Sequence, residues 1–202
     1  MFANREEAAR LLSQKLIHLK NQHPVVIAIP RGGVVLGKII ADQLEAPMDV
    51  AMTKKIGHPE NAELAIGAVS MESEVAICNL NIPEKYFNEK VREVRQLLRE
   101  RYEKYSGKRK SISLSGATAI LVDDGIATGS TMLATIRLIK EQHPDKIVVA
   151  VPLAPPSVAK KIAQEADELI VLETPKNFSA IGQFYDEFHQ LNDDEVFVLL
   201  ND

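Results

Sequence analysis

The sequence predicts an α/β fold: a doubly wound parallel sheet of about five strands with helices on both faces, plus a hairpin and a small C-terminal segment. Three observations point there. Five short apolar runs, at 25–29, 49–52, 119–122, 146–151 and 168–172, lack the polar alternation of a half-solvated strand, so they read as strands buried on both faces. Apolar residues at helical spacing lie between them, and strands alternating with helices make parallel crossovers. A chain of 202 residues, 46% of them hydrophobic, holds enough apolar side chain for one α/β domain with a modest appendage. The core is expected over 1–172 and the appendage over 173–202, packed on it as a single domain. There is no internal repeat or low-complexity tract.

From the N-terminus, Asn4 with Glu7 reads as a capping box, and Ala8, Leu11, Leu12, Leu16 and Leu19 form one helical face. Pro24 ends the polar connection before the first strand, and Pro30, Arg31, Gly32 and Gly33 follow that strand at once. Small residues let the backbone approach a ligand, and Arg31 offers a forked cation for phosphate oxygens. A tight turn with a solvated arginine reads the same way. A helix bearing Val34, Ile39, Ile40 and Leu44 returns to Pro47 and the second strand, at whose end stand Thr53, Lys54 and Lys55. In a parallel sheet these lysines face the crevice at the carboxyl edge. Past the polar loop 57–61, the pieces 64–69 and 75–78, joined by 71–74, read as a hairpin.

Asn81, Ile82 and Pro83 open a long charged helix with Phe87, Val91, Val94, Leu98, Tyr102 and Tyr105 on one stripe, which serves the core or a subunit contact. Its arginines, with Lys108, Arg109 and Lys110 beyond, suggest nucleic acid. Yet Glu84, Glu89, Glu93, Glu100 and Glu103 interleave with them, so a solvated helix with intrahelical pairs is the better reading. The helix starting at Ser130 ends near His143, because Pro144 disfavours helical geometry before it. Pro155, Pro156 and Ser157 begin another, with Val158, Ile162 and Ala166 on its face. From Thr174 the character changes: Phe178, Phe184, Tyr185 and Phe188 arrive without a long helical period.

The residues with the most chemistry are 119–131, Ala-Ile-Leu-Val-Asp-Asp-Gly-Ile-Ala-Thr-Gly-Ser-Thr. A buried strand delivers Asp123 and Asp124 to the carboxyl edge, where paired acids accept hydrogen bonds from vicinal hydroxyls such as those of a ribose. Thr128, Gly129, Ser130 and Thr131 then offer hydroxyls and backbone N–H groups at a helix N-terminus, a phosphate cradle. Together they ask for a ribose 5-phosphate.

This stretch resembles the phosphoribosyl-diphosphate (PRPP) binding motif of type I phosphoribosyltransferases at every position: apolar run, acid pair, Thr-Gly-x-Thr. The resemblance implies Mg²⁺-dependent transfer of a phosphoribosyl group from PRPP to a nitrogen acceptor of the nucleobase type, releasing pyrophosphate, as in purine or pyrimidine salvage. It implies a catalytic set of Asp123, Asp124, Arg31, Lys54 and Lys55, with Arg31 and the lysines on pyrophosphate. It assigns substrate contacts to Gly32, Gly33, Gly125, Ala127, Thr128, Gly129, Ser130 and Thr131. It also implies a mobile loop containing His58, Glu60, Asn61 and Glu63, and a C-terminal hood over 173–202 whose Phe178 stacks on the base. Magnesium would be held mainly by PRPP oxygens and water, with Asp123 and Asp124 reaching it only through water. Two positions depart from the pattern. Ala127 stands where 6-oxopurine enzymes carry an acid, and Gly125 where an aliphatic residue is usual, so the base is left open. The alternative is a non-catalytic PRPP-sensing regulator on the same fold.

Composition narrows the rest. The formal charge of −4 gives no global attraction to nucleic acid, and no apolar run reaches membrane-span length. The N-terminus lacks a signal-peptide apolar region, so a cytoplasmic protein is expected. One cysteine, Cys78, excludes an internal disulfide framework and reads as a small buried residue. A homodimer is the expected assembly.

Overall fold

The computed structural model describes residues 1–76, 82–106 and 111–201. In chain order, α1 (Arg5–Leu16), β1 (Pro24–Ala28), α2 (Gly33–Leu44) and β2 (Met48–Val50) precede three further strands, β3 (Lys54–His58), β4 (Asn61–Val69) and β5 (Glu74–Ala76). The long helix α3 (Glu84–Ser106) follows, then β6 (Thr118–Val122), α4 (Ser130–Lys140), β7 (Lys146–Leu153), α5 (Pro156–Ile162), β8 (Glu168–Glu173) and α6 (Asp193–Asn201). All five apolar runs are strands of one parallel sheet, ordered β2-β1-β6-β7-β8.

Successive side chains of a strand point to opposite faces, and here both faces are covered. Val26, Ile120, Val122 and Val148 pack under Leu12 and Leu16 of α1 and Leu36 and Ile40 of α2. Their neighbours Ile27, Leu121, Val149 and Val151 pack under Met132 and Ile136 of α4 and Val158 and Ile162 of α5. That double burial is why the strands carry no polar alternation. Helix α1 starts where the capping box predicted: Oδ1 of Asn4 accepts the Glu7 N–H at 3.0 Å. The Glu7 carboxylate reaches back to the Ala3 N–H.

The register positions the site. β1 and β6 pair from Pro24↔Thr118 to Ala28↔Val122, so both strands stop at one level and their loops emerge side by side. β2 lies on one side of β1 and β6 on the other. This is the switch point at which open α/β sheets leave a ligand crevice.

Two elements differ from the sequence expectation. Lys54 and Lys55 do not end the second core strand: β2 stops at Val50, and the lysines open β3, paired antiparallel with β4 at Lys54↔Val69 and Lys55↔Ala68. The expected hairpin is therefore a separate three-stranded sheet, β3-β4-β5. In β3 only Ile56 is deeply buried, 2% exposed, so the strand carries little apolar signal of its own. Its sheet packs on α3 through Ile56, Ile66 and Val69, and on α4 through Ala68. The second difference is α6, nine residues of helix in the tail. Oδ1 of Asn192 accepts the N–H groups of Asp194 and Glu195 at 2.9 Å, and the Glu195 carboxylate accepts the Asn192 N–H at 2.7 Å. Asn192 and Glu195 thus form a reciprocal capping box, and Asp193 and Asp194 add negative charge at the N-terminal turn.

On α3 the stripe Val91, Val94, Leu98, Tyr102 and Tyr105 is buried in the chain's own core, and Phe87 packs at its edge. It is not offered to a subunit contact. The opposite face carries the ion pairs Lys85–Glu89 and Lys90–Glu93. Cys78, Asn81, Lys108, Arg109 and Lys110 lie outside the described residues, as do the side chains of 61–65, including Glu63. Among the described residues no helix is long and apolar enough to cross a membrane.

The closeness of β6 to the loop after β1 is testable at Gly33. A Cβ there would stand 2.6 Å from the Val122 carbonyl oxygen and 3.0 Å from the Asp123 Cα, both backbone atoms of the central strand or its end. Gly33→Ala is expected to cost about 1–3 kcal/mol, read as a lower urea midpoint at unchanged slope. An unchanged midpoint would mean that the backbone yields.

Candidate functional site

β6 is five buried residues, apolar from Ala119 to Val122, so Asp123 and Asp124 are the first polar side chains to emerge at the switch point. They are not equivalent. Asp123 is half-buried and lines a cleft of about 200 Å³ with Ala127, Thr128, Thr131 and Ile181. Asp124 is 7% exposed, and its Oδ2 accepts from Arg5 Nε at 2.9 Å and lies 2.8 Å from Arg5 Nη2. Arg5 itself is 6% exposed. Its Nη1 donates to the His189 carbonyl at 2.9 Å, and its guanidinium lies 3.9 Å from the centroid of the Phe188 ring. The Tyr185 hydroxyl donates to the Asp124 carbonyl at 2.8 Å.

This placement sets the charges. Burial pushes the Asp123 carboxyl well above the usual carboxylate range, and the adjacent Asp124 charge pushes the same way. Burial also raises Asp124, against which the Arg5 guanidinium works. Burial, then the charge of Asp124, raises the Tyr185 hydroxyl, so it stays a neutral donor.

The Arg31-Gly32-Gly33 loop lies directly against the pair. The Pro30–Arg31 peptide bond is cis. A Cβ on Gly32 would fall 1.9 Å from Asp124 Oδ2, so only a hydrogen fits there. Arg31 is half-exposed, with Nη1 3.8 Å from Oδ1 of Asp193 at the start of α6. That oxygen also accepts from the Tyr105 hydroxyl at 2.6 Å and from Arg101 Nη2 at 3.0 Å. The Tyr105 bond, with Arg101, holds the Asp193 carboxyl below its ordinary value.

On the other side of the cleft, Gly129 adopts the left-handed region at φ 77° and turns the chain into α4. Thr128 and Thr131 are exposed and Ser130 is half-buried. The first-turn N–H groups of a helix have no intrahelical acceptor and sit at the positive end of its dipole, which suits a phosphate monoester. Gly125 has a structural partner: a Cβ there would meet Ile181 Cγ2 at 2.9 Å. The aliphatic side chain missing from position 125 thus arrives from the tail. Phe178 lies 5.3 Å from Phe184, ring centroid to centroid, in the apolar cluster that holds Ile181 and Tyr185.

The fold therefore gathers Arg31, Gly32, Gly33, Asp123, Asp124, Gly125, Ala127, Thr128, Gly129, Ser130 and Thr131 around one switch point. Lys54 and Lys55 are exposed on the second sheet, where Lys54 lies within electrostatic reach of Glu93 on α3. His58 Nδ1 accepts the Glu60 N–H at 3.1 Å in the β3–β4 turn. Among the described residues no three His, Cys, Asp or Glu side chains cluster as a metal site. Sequence reasoning missed Arg5, Ile181 and Asp193, and offered Tyr185 only as a tail aromatic next in line after Phe178, not as the donor to the Asp124 carbonyl. Two of them left a trace. Arg5 is the first residue of α1, where a cation opposes the helix dipole and so needs another reason to be there. Gly125 left a gap that another side chain had to fill.

The electrostatic reading predicts a pH-dependent stability. A carboxyl raised in the folded state favours folding while protonated, and that contribution is lost as pH rises from the unfolded value, about 3.9, through the folded one. Asp123→Asn keeps an oxygen to accept the Asp124 N–H, as Oδ1 does now at 2.9 Å, and removes the charge. At pH 7 the variant is expected to melt higher, by about 2–4 °C per kcal/mol relieved, with the margin closing below about pH 3.9. A lower melting temperature at pH 7 would show that the site stabilises the ionised form.

Comparisons with known proteins agree with this geometry. The family model for the phosphoribosyl transferase domain matches residues 3–189. Proteins of Mycobacterium tuberculosis strains CDC 1551 and H37Rv, each provisionally named a phosphoribosyl transferase, are 38% identical to this chain over 207 residues, covering 100% of it. The chain spans about half the length of these relatives, 46%. The crystal structure of TT1426 from Thermus thermophilus superposes with a TM-score of 0.91 at 34% identity, covering 99% of this chain and 97% of that one. The purine phosphoribosyltransferase of Pyrococcus horikoshii shares the fold, with a TM-score of 0.51 at 16% identity over 93% of this chain and 92% of its own. A parallel sheet with an acid pair and a Thr-Gly-Ser-Thr helix start at its switch point, matched over nearly its whole length, makes this chain a member of the phosphoribosyl transferase domain family.

Proposed function

We propose that the chain transfers the phosphoribosyl group of PRPP to a nitrogen acceptor of the nucleobase type and releases pyrophosphate. The observation that supports this best is the contact between Gly32 and the Asp124 carboxylate, which brings the Arg31-Gly32-Gly33 loop beside the acid pair and the start of α4. A cation-bearing loop then lies beside the acid pair, whose Asp123 shares its cleft with the phosphate cradle.

Breaking the anomeric C–O bond builds positive charge on the ribose and negative charge on the departing pyrophosphate. In this reading Thr128, Gly129, Ser130 and Thr131 hold the 5-phosphate, and the acid pair supplies the acceptor for the ribose hydroxyls and steadies the cationic ring. Arg31, released from Asp193, and the main chain of Gly32 and Gly33 receive the pyrophosphate, with Lys54 and Lys55 adding charge. Bound Mg²⁺ would neutralise part of the pyrophosphate charge, and Asp123, which lines the cleft, suits a water-mediated contact with a hydrated, hard cation. Ile181, Phe178 and Phe184 offer an apolar wall for a planar acceptor.

Ala127 favours a second reading, a PRPP sensor without turnover, because it provides no titratable side chain beside Thr128 for the acceptor's proton. Incubation with PRPP, Mg²⁺ and a panel of nucleobases, followed by pyrophosphate release, decides between them. Release with one base establishes the transferase and names its acceptor, whereas PRPP binding without release with any base establishes the sensor.

Three substitutions test the assigned roles. Lys54→Ala and Lys55→Ala are expected to weaken pyrophosphate binding more than ribose 5-phosphate binding, and equal losses would mean that the lysines act through the fold of the second sheet. Phe178→Leu keeps apolar bulk and removes the ring face. Stacking contributes about 1–3 kcal/mol per base, so acceptor affinity should fall about five- to a hundredfold while PRPP affinity and melting temperature hold. A large loss of melting temperature with unchanged acceptor binding would make Phe178 a packing residue against Phe184.

A further inference from the structure

We propose that Phe2 and Ala3 form a clasp that seats the tail 174–191 on the core, and that Phe2 is thereby a positioning residue for the apolar wall of Phe178, Ile181 and Phe184. The clasp stands by itself, whereas the positioning role rests on the transfer reading above and deepens it. The Phe2 N–H donates to the Phe184 carbonyl at 2.8 Å, the Asp186 N–H to the Phe2 carbonyl at 2.9 Å, and the Glu187 N–H to the Ala3 carbonyl at 2.9 Å. The first two bonds flank Tyr185 and pair it with Phe2 as a parallel bridge. Among the described residues, these three are the only backbone–backbone hydrogen bonds that join 174–191 to the rest of the chain. Two side-chain bonds add to them, from Tyr185 to the Asp124 carbonyl and from Arg5 to the His189 carbonyl. A segment with so few main-chain ties belongs to the low end of local stability, so each tie weighs on where it sits.

The clasp is rigid because it continues a capped helix. Asn4 accepts the Glu7 N–H at 3.0 Å and the Glu7 carboxylate takes the Ala3 N–H, so the capping box of α1 fixes residue 3 as well as residue 4. Phe2 is 4% exposed and packs with Ala8 of α1, Leu153 of β7 and Tyr185, whose ring centroid lies 5.6 Å from its own. Phe178, Ile181 and Phe184 are only partly buried and rest against that same cluster. Phe2 therefore supports the wall from behind. Ile181 carries the support into the cleft, which it lines with Asp123 and Thr128, whereas Phe2 does not line it. Truncating the Phe2 ring would leave a void beneath the wall, into which the tail side chains would settle.

The test compares the parent with Phe2→Ala, Phe2→Leu and Ile40→Ala at a temperature where all are folded. Ile40 is fully buried in the α1–α2 side of the core, outside the tail cluster, so its truncation lowers the melting temperature without touching the clasp. Hydrogen exchange of the ligand-free protein reads the tail amides of Tyr185, Asp186 and Glu187. Phe2→Ala should speed them about tenfold or more, and Phe2→Leu, which keeps apolar bulk, by less than about threefold. Ile40→Ala should change them by less than about twofold, because the clasp opens without unfolding the core. Tail amides that ignore Phe2→Ala, or that speed up as much in Ile40→Ala, overturn the clasp. For the positioning role, pyrophosphate release is followed with PRPP, Mg²⁺ and adenine, hypoxanthine, guanine or uracil. With a base that supports release, Phe2→Ala should raise the KM of that base about fivefold or more and leave kcat and the KM of PRPP within about twofold. Phe2→Leu should bring the KM of the base back to within about threefold of the parent. An unchanged KM for the base, or a KM for PRPP that rises as much, overturns the positioning role. A parent that releases no pyrophosphate with any base overturns the transfer reading and the positioning role with it. The exchange comparison needs no ligand and decides the clasp separately.

Discussion

The parallel register of β1 with β6 is the constraint on which the rest of the site depends. Because Ala28 pairs with Val122, the loop from Pro30 to Gly33 and the loop from Asp123 leave the sheet at the same height and on adjacent strands. The Ile29 N–H reaches the Val122 carbonyl at 2.8 Å and extends that pairing into the loop itself. Close approach then demands glycine at 32 and 33, since a methyl group at either position would meet the Asp124 side chain or the β6 backbone. One hydrogen-bonded register thus produces both the proximity of the cation-bearing loop to the acids and its glycine composition.

Around that centre the tail acts as an active part of the site. Tyr185 donates to the Asp124 carbonyl, Ile181 covers Gly125, and the 188–189 segment engages Arg5. The N-terminus joins in: the Phe2 N–H donates to the Phe184 carbonyl at 2.8 Å, and the Asp186 N–H to the Phe2 carbonyl at 2.9 Å. Farther along, Asp193 collects Tyr105, Arg101 and Arg31, so the last helix is tied both to α3 and to the loop after β1. Movement of the tail would therefore be felt at the acid pair, at the apolar wall of Phe178, Ile181 and Phe184, and at Arg31. These contacts tie the acid pair, Arg31 and the apolar wall together through packed and hydrogen-bonded groups.

Local pattern made much of the fold legible. The five core strands announce themselves because burial on both faces forces continuous apolar runs, and the helices between them because one apolar face repeats at helical spacing. The acid pair and the Thr-Gly-Ser-Thr turn were equally readable, since their chemistry is written in consecutive residues. The strand β3 was not, because only Ile56 is deeply covered and that cover comes from α3, distant in sequence. Helix α6 was missed although Asn192 and Glu195 carry a capping box, because its five apolar residues, 196–200, are consecutive and trace no helical period.

By itself, then, the sequence determined the α/β architecture, the position of the acid pair and the phosphate-type loop after it, and the resemblance to a phosphoribosyltransferase. All of these are encoded within a dozen neighbouring residues or in a repeating period. Only the tertiary structure decided that two adjacent aspartates have different fates. Arg5 stands 119 residues from Asp124, and Tyr185 61 residues from it. No local period names such partners; they meet because β6 emerges beneath the start of α1 and the returning tail. Once they meet, burial and a planar cation close one carboxylate, and the other is left in the cleft.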